Sequence, residues 1–192
     1  DFKTTLGFKF DEAFNQIERE VKNVQQNVGL CEVNGFNRIE ITGSDRHNFL
    51  DRIFCGNVKR QTGKVGLGYF LNHHGMLKGE ATIANLPQSD RGPARVWYGS
   101  AAASEYHDMD WLRQHLNPND DVQLKSLTND ITILVLAGPN ARKVLSACSR
   151  GDWSKDAFPW LSVRECFIGI APATVIGVSF SGELAYEIHI PN

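Results

Sequence analysis

The chain has 192 residues, 42% hydrophobic and 22% charged, the balance of an ordinary globular protein and enough for one large domain or two small intertwined subdomains. A formal net charge of −2 argues against a nucleic-acid binder, and no apolar run approaches the roughly 20 residues that span a bilayer. No basic start followed by an apolar block marks a signal peptide.

From the N-terminus, Phe10, Phe14, Ile17, Val21 and Val24 recur at helical spacing and predict an amphipathic helix within residues 1–28. Two strand-like pieces follow in CEVNGFNRIEITG, where Ile39 and Ile41 alternate with polar neighbours. Ser44 is the expected N-cap of a helix from Asp45 to Phe54 with Phe49, Leu50, Ile53 and Phe54 on its apolar face. VGLGYFLN and LNHHGMLKGEATI are two strands joined around His74-Gly75, and PQSDRGP is a turn-rich loop before the strand ARVWYGS. SEYHDMDWLRQHL predicts a helix capped by Ser104, with Met109, Leu112 and Leu116 on one face.

A strand pair in VQLKSLTNDITILVLAG leads to Gly138-Pro139, which opens a helix through Cys148. After the turn-rich SRGDWSKDAFPW, the block RECFIGIAPATVIGVSFSGELAYEIHIP reads as three successive strands. Helices and hairpin-like strand pairs without strict alternation define an α+β class with mostly antiparallel sheet. The chain ends on a strand, which reads as a fragment.

Several motif readings fail on spacing. The four cysteines, Cys31, Cys55, Cys148 and Cys166, form no CxxC pair; they are expected to be reduced and mostly buried, in a cytosol-like compartment. His73 and His74 are adjacent and point apart, and no HExxH or Cys/His cluster exists, so no metal is expected. GKVGLG lacks the spacing of a dinucleotide or phosphate loop, and SFSGE has Val178 where a nucleophile elbow needs glycine. Glu80 and Glu187 are different, because each lies on a predicted strand beside small residues: Gly79 and Ala81, and Gly182 and Ala185. Small neighbours let a flat ligand approach the backbone. Two readings stay open for them: acids on a ligand wall, or exposed strand residues facing water.

Three stretches, in order, resemble one family. LNHHGMLKGEATI, ITILVLAGPNARKVL and SFSGELAYEIHIP are similar to segments of the aminomethyltransferase (glycine-cleavage T-protein) folate-binding domain. The resemblance runs from about Glu20 to the last residue. REVKNVQQNVG and RECFIGIAPATVIGVSFSGE are most similar to the form fused behind flavin-dependent amine oxidases of the dimethylglycine and sarcosine dehydrogenase type.

The resemblance implies a T-protein-like α+β fold, incomplete at its C-terminus, over 29–192, with 1–28 as the end of an upstream linker and helix. It implies tetrahydrofolate as ligand, FAD on an upstream domain absent from this chain, and a methylated amine as substrate. It also implies one-carbon capture as methylenetetrahydrofolate, in the bacterial cytoplasm or the mitochondrial matrix. Glu80 takes the position of the catalytic carboxylate and Glu187 that of the pterin-binding acid. Phe180, Leu67, Asn72 and Tyr186 fall at the remaining folate-facing positions. Leu67 and Phe180 stand where tyrosines are usual, and Met76 replaces the second glycine of the turn. These departures keep a non-catalytic module of the same fold in view, and a folate-dependent demethylase of a sulfonium is a second, enzymatic rival.

Overall fold

The computed structural model describes residues 13–192, so Phe10 lies outside the described residues. Among the described residues, eleven strands form two antiparallel sheets, joined by four α-helices and a short 3₁₀ turn, and the class is α+β. The first sheet, sheet A, contains β1 (Gly29–Glu32), β8 (Ile131–Ala137), β9 (Val163–Ile168), β10 (Ala171–Ile176) and β11 (Ala185–Pro191), in the order β1-β8-β11-β10-β9. The second, sheet B, contains β2 (Asn37–Thr42), β3 (Cys55–Gly56), β4 (Val65–Leu71), β5 (Leu77–Leu86), β6 (Arg95–Ser100) and β7 (Gln123–Ser126). Its order is β3-β4-β5-β6-β2-β7.

Strand alternation divides the core into three layers. Ile39, Ile41, Ile83, Val96 and Tyr98 face away from sheet A and pack with Phe49 and Leu50 of α2 (Arg46–Ile53) and Met109 and Leu112 of α3 (Glu105–Gln114). The opposite parity, Val65, Ala84 and Trp97, meets Ile131, Ile133, Val163 and Ile176 of sheet A. Beyond sheet A, Leu136, Val175, Tyr186 and Ile188 pack with Leu145 of α4 (Ala141–Cys148), Trp153 and Phe158.

Four details differ from the sequence reading. The segments β7 and β8 do not pair with each other: β7 adds to β2 in sheet B, and β8 lies between β1 and β11 in sheet A. The intervening residues 127–130 carry the chain across the sandwich, with the Leu127 N–H donating to the Arg38 carbonyl. Ser44 does not cap α2; its N–H and Oγ both donate to Asp121 Oδ2 at 2.8 Å, and Asp45 takes the N-cap position. The N-cap position of α3 does fall on Ser104, without a side-chain hydrogen bond.

The cysteines are free but not buried: Cys31, Cys55 and Cys148 are exposed and Cys166 is half-buried. Cys31 and Cys55 sit on short edge strands, where one flank of the backbone meets solvent. Lastly, α1 (Phe14–Gln26) is amphipathic as expected, yet it buries none of its residues, and Ile17 and Val21 are exposed. It is tied down at its C-terminal end, where the Asn140 N–H donates to the Asn27 carbonyl at 2.9 Å. Gly138, at φ +120°, leaves its Cα against the Val24 and Asn27 carbonyls, where a Cβ would come within 2.6 Å of both oxygens.

Candidate functional site: an acid-bearing wall at one end of the sandwich

The β4–β5 hairpin builds the first half of the site. Its turn is held by Asn72, whose Oδ1 accepts the N–H groups of His74 (2.9 Å) and Met76 (3.0 Å), while the Asn72 N–H donates to the Met76 carbonyl. Asn72 therefore has a complete local role in shaping the turn. The register that follows sets Tyr69 directly across from Glu80, Leu67 from Thr82, Thr82 from Gly99, and Gly99 from Arg38. Period-two alternation puts all of them on the face of sheet B that looks toward sheet A. The rows nearer Val65 and Trp97 are covered by sheet A, whereas Leu67 (44% exposed), Tyr69 (49%) and Glu80 stand open. Glu80 has no hydrogen-bond or ion-pair partner among the described residues.

The second half comes from β11. Arg38 Nη2 donates to Glu187 Oε2 at 3.3 Å across the sandwich, and His189 Nε2 bonds the same oxygen at 3.1 Å. Arg38 and His189 are buried; Glu187 keeps 28% of its side chain exposed. Burial works to raise the Glu187 carboxyl, but the hydrogen bond from His189 and the charge of Arg38 outweigh it and hold the group below the usual carboxylate range. Burial, and then the Arg38 charge, push His189 down to about 4, against the pull of Glu187. At neutral pH His189 is a neutral donor to an ionised carboxylate. The Arg38 guanidinium itself is lowered by burial, with Glu187 opposing.

The guanidinium lies against Gly99. A Cβ there would sit 1.7 Å from Arg38 Nη1 and 2.8 Å from Thr82 Oγ1. Gly99→Ala is therefore expected to displace Arg38 and cost about 1–3 kcal/mol, as overpacking in a filled site does. Urea unfolding checks this; an unchanged midpoint would show that the guanidinium moves aside freely.

A pH dependence follows from His189. Between pH 6.5 and about 4 the unfolded chain protonates this imidazole and the folded chain does not, so stability falls with falling pH. The loss amounts to roughly 3 kcal/mol over that window, and the lowered Glu187 adds a loss of the same sign at lower pH. In urea melts from pH 7 to 4.5, His189→Gln is expected to flatten most of the slope.

Sheet B thus places Glu80 and Leu67 on one wall, and Arg38 ties that wall to Glu187. Phe180 lies on the loop between β10 and β11, fully exposed at the end of sheet A where Glu187 opposes Ile176. Tyr186 does not join them. It precedes Glu187 by one residue, so it points to the other face and is buried with Phe158 and Leu136. Sequence reasoning missed Tyr69, Arg38 and His189. Tyr69 shares the parity of Leu67 along β4, and His189 that of Glu187 along β11, so both were within reach of an alternation count. Arg38 becomes visible only when the two sheets are set face to face.

The profile of the GCVT N-terminal domain family matches residues 1–192. The chain belongs to that family. A curated relative, the sarcosine oxidase subunit alpha of Rhizobium meliloti, is 36% identical over 181 residues, covering 91% of this chain and 18% of the relative. The mitochondrial dimethylglycine dehydrogenase of Rattus norvegicus is 30% identical over 177 residues, covering 92% of this chain and 20% of the relative. The chain therefore spans about a fifth of the length of these enzymes. The crystal structure of the glycine cleavage system aminomethyltransferase T from Bartonella henselae superposes with a TM-score of 0.77 at 17% identity, over 100% of this chain and 50% of that one. At that identity the likeness is one of fold, and the T-protein-like α+β fold expected from the three sequence stretches is the one found.

Proposed function

We propose that this chain is the tetrahydrofolate-binding, one-carbon-transfer part of a longer flavoenzyme that demethylates a small N-methylated amine of the sarcosine or dimethylglycine type. The observation that carries the reading is the open wall on which Glu80 stands without a partner among the described residues, beside Leu67 and Tyr69, with the partly exposed carboxylate of Glu187 at its far side. The two relatives named above supply the amine class. FAD belongs, on this reading, to an upstream domain; no dinucleotide motif lies in these 192 residues.

The residues present fit a reduced pterin. Leu67 and Tyr69 offer a flat apolar and aromatic surface for the ring, and Glu187 offers a carboxylate oxygen to its N–H edge. Phe180 closes the rim, packing a ring without the hydroxyl of a tyrosine. Bound tetrahydrofolate supplies the amine nitrogens that take up the one-carbon unit.

Glu80 accepts the proton released as the new C–N bond forms and returns it to the original amine nitrogen as the bond from that nitrogen to the one-carbon unit breaks, so that the demethylated amine leaves protonated. General-base help of this kind contributes a factor of roughly 10² to 10⁴. Holding the acceptor beside the site of amine oxidation makes the capture effectively intramolecular. The test is a product assay on the full-length protein: added tetrahydrofolate should convert formaldehyde output into methylenetetrahydrofolate. Formaldehyde output that ignores tetrahydrofolate would contradict the proposal.

A further inference from the structure

We propose that Arg38 and His189 are positioning residues: together they clamp one oxygen of Glu187 so that the other is presented to the wall as a single fixed acceptor for a ligand N–H. The proposal rests on the folate reading for the identity of the ligand, but not for the clamp itself.

Both contacts fall on one atom. Arg38 Nη2 and His189 Nε2 reach Oε2, at 3.3 and 3.1 Å, and no described residue hydrogen-bonds Oε1. Arg38 and His189 are sealed behind Glu187, with side chains 4% and 0% exposed against 28% for the acid. Neither clamp member has room to turn. The guanidinium lies against the bare Cα of Gly99, and the imidazole ring packs edge-on to Trp97 with centroids 5.6 Å apart.

Stability is a poor explanation for this arrangement. A buried ion pair is on average no better than apolar packing. This one also leaves Arg38 Nε and Nη1 and His189 Nδ1 buried without partners among the described residues, each a cost. An arrangement that is costly as packing and well defined as geometry is the mark of a preorganised binding group. Its chemistry is selective. The open oxygen of an ionised carboxylate only accepts, so it takes the N–H edge of an amide or amidine-like heterocycle and rejects a carboxylate or phosphate.

The experiment uses the full-length protein with Arg38→Met, His189→Leu and the conservative His189→Gln, which keeps an N–H donor. The first readout needs no ligand. Carbodiimide reacts with a carboxyl through its protonated form, so the labelling rate of Glu187 at pH 5, read by peptide mass spectrometry, reports its protonation. The groups that hold the Glu187 carboxyl low are His189 from β11, as a hydrogen-bond donor, and Arg38 from β2, by its charge. Loss of a cationic or donor neighbour raises a carboxyl by about one unit or more, so Arg38→Met and His189→Leu should label roughly ten times faster.

The second readout is the tetrahydrofolate Kd by calorimetry. It should weaken about tenfold in the same two variants, with the ratio to wild type growing from pH 8 to pH 5; His189→Gln should stay close to wild type in both readouts. A merely structural role would lower the melting temperature and leave labelling and the pH-dependent ratio where they are. Unchanged labelling, or faster labelling with unchanged Kd, overturns the proposal. Failure of the wild type to bind tetrahydrofolate removes the folate reading alone, and the labelling still decides the clamp.

Discussion

Glu80→Gln is expected to cut the methylenetetrahydrofolate formed per amine oxidised by roughly 10²-fold or more, with formaldehyde rising to match. The replacement keeps the shape and loses the ability to take a proton. Glu80 is exposed, faces Tyr69 across the hairpin and has no partner among the described residues, so nothing in the fold depends on its charge. A surface substitution of this kind moves stability by about 0.5 kcal/mol or less, which separates a chemical effect from a folding one. The product ratio is measured with and without tetrahydrofolate. If it matches wild type, Glu80 is an ordinary exposed strand residue.

The largest effect on stability is expected at the other acid. Glu187→Leu leaves the fully sealed Arg38 without its counter-ion, and breaking one side of a buried pair costs about 3–5 kcal/mol. For a chain of this size that lowers the thermal midpoint by roughly 6–20 °C. Glu187→Gln keeps an oxygen for Arg38 and should cost distinctly less. Thermal unfolding of the two variants decides it. A Glu187→Leu protein as stable as Glu187→Gln would mean that Arg38 reaches solvent or another acceptor once Glu187 is gone.

The order of elements was readable because most of them are local. The alternation of Ile39 and Ile41, the turn residues around Gly75 and Gly138, and the helical spacing of Met109 and Leu112 each specify their own segment. What depends on distant partners was not readable. Ser44 looks like a cap until Asp121, 77 positions away, binds it. The segments β7 and β8 look like a hairpin because the sequence carries no mark of the sheet each joins. The cysteines look like core residues because their type is usually buried, but Cys31 and Cys55 fall on short edge strands and Cys148 at the exposed C-terminal end of α4.

The site shows the same division. Glu80, Glu187 and Leu67 were singled out from short motifs and do lie on surfaces joined through Arg38. Tyr186 was placed among the folate-facing positions by the resemblance, whereas period-two alternation sends it to the opposite core from Glu187. Asn72 was grouped with the ligand positions, and the turn it locks accounts for both of its Oδ1 contacts. Arg38 carries no motif at all. Its meaning lies in Gly99 beneath it and Glu187 across from it, which only the assembled sandwich brings together.

The central claim is that the wall bearing Glu80 and Glu187 holds tetrahydrofolate, and calorimetric titration of the full-length protein tests it most directly. Wild type, Leu67→Arg and Glu187→Gln would be titrated side by side; Leu67 is exposed enough that the arginine disturbs no core. The account predicts one binding site per chain, weakened about tenfold or more by each substitution as the apolar surface or the charged acceptor is lost. No binding by the wild type, or equal affinity in all three proteins, would contradict it.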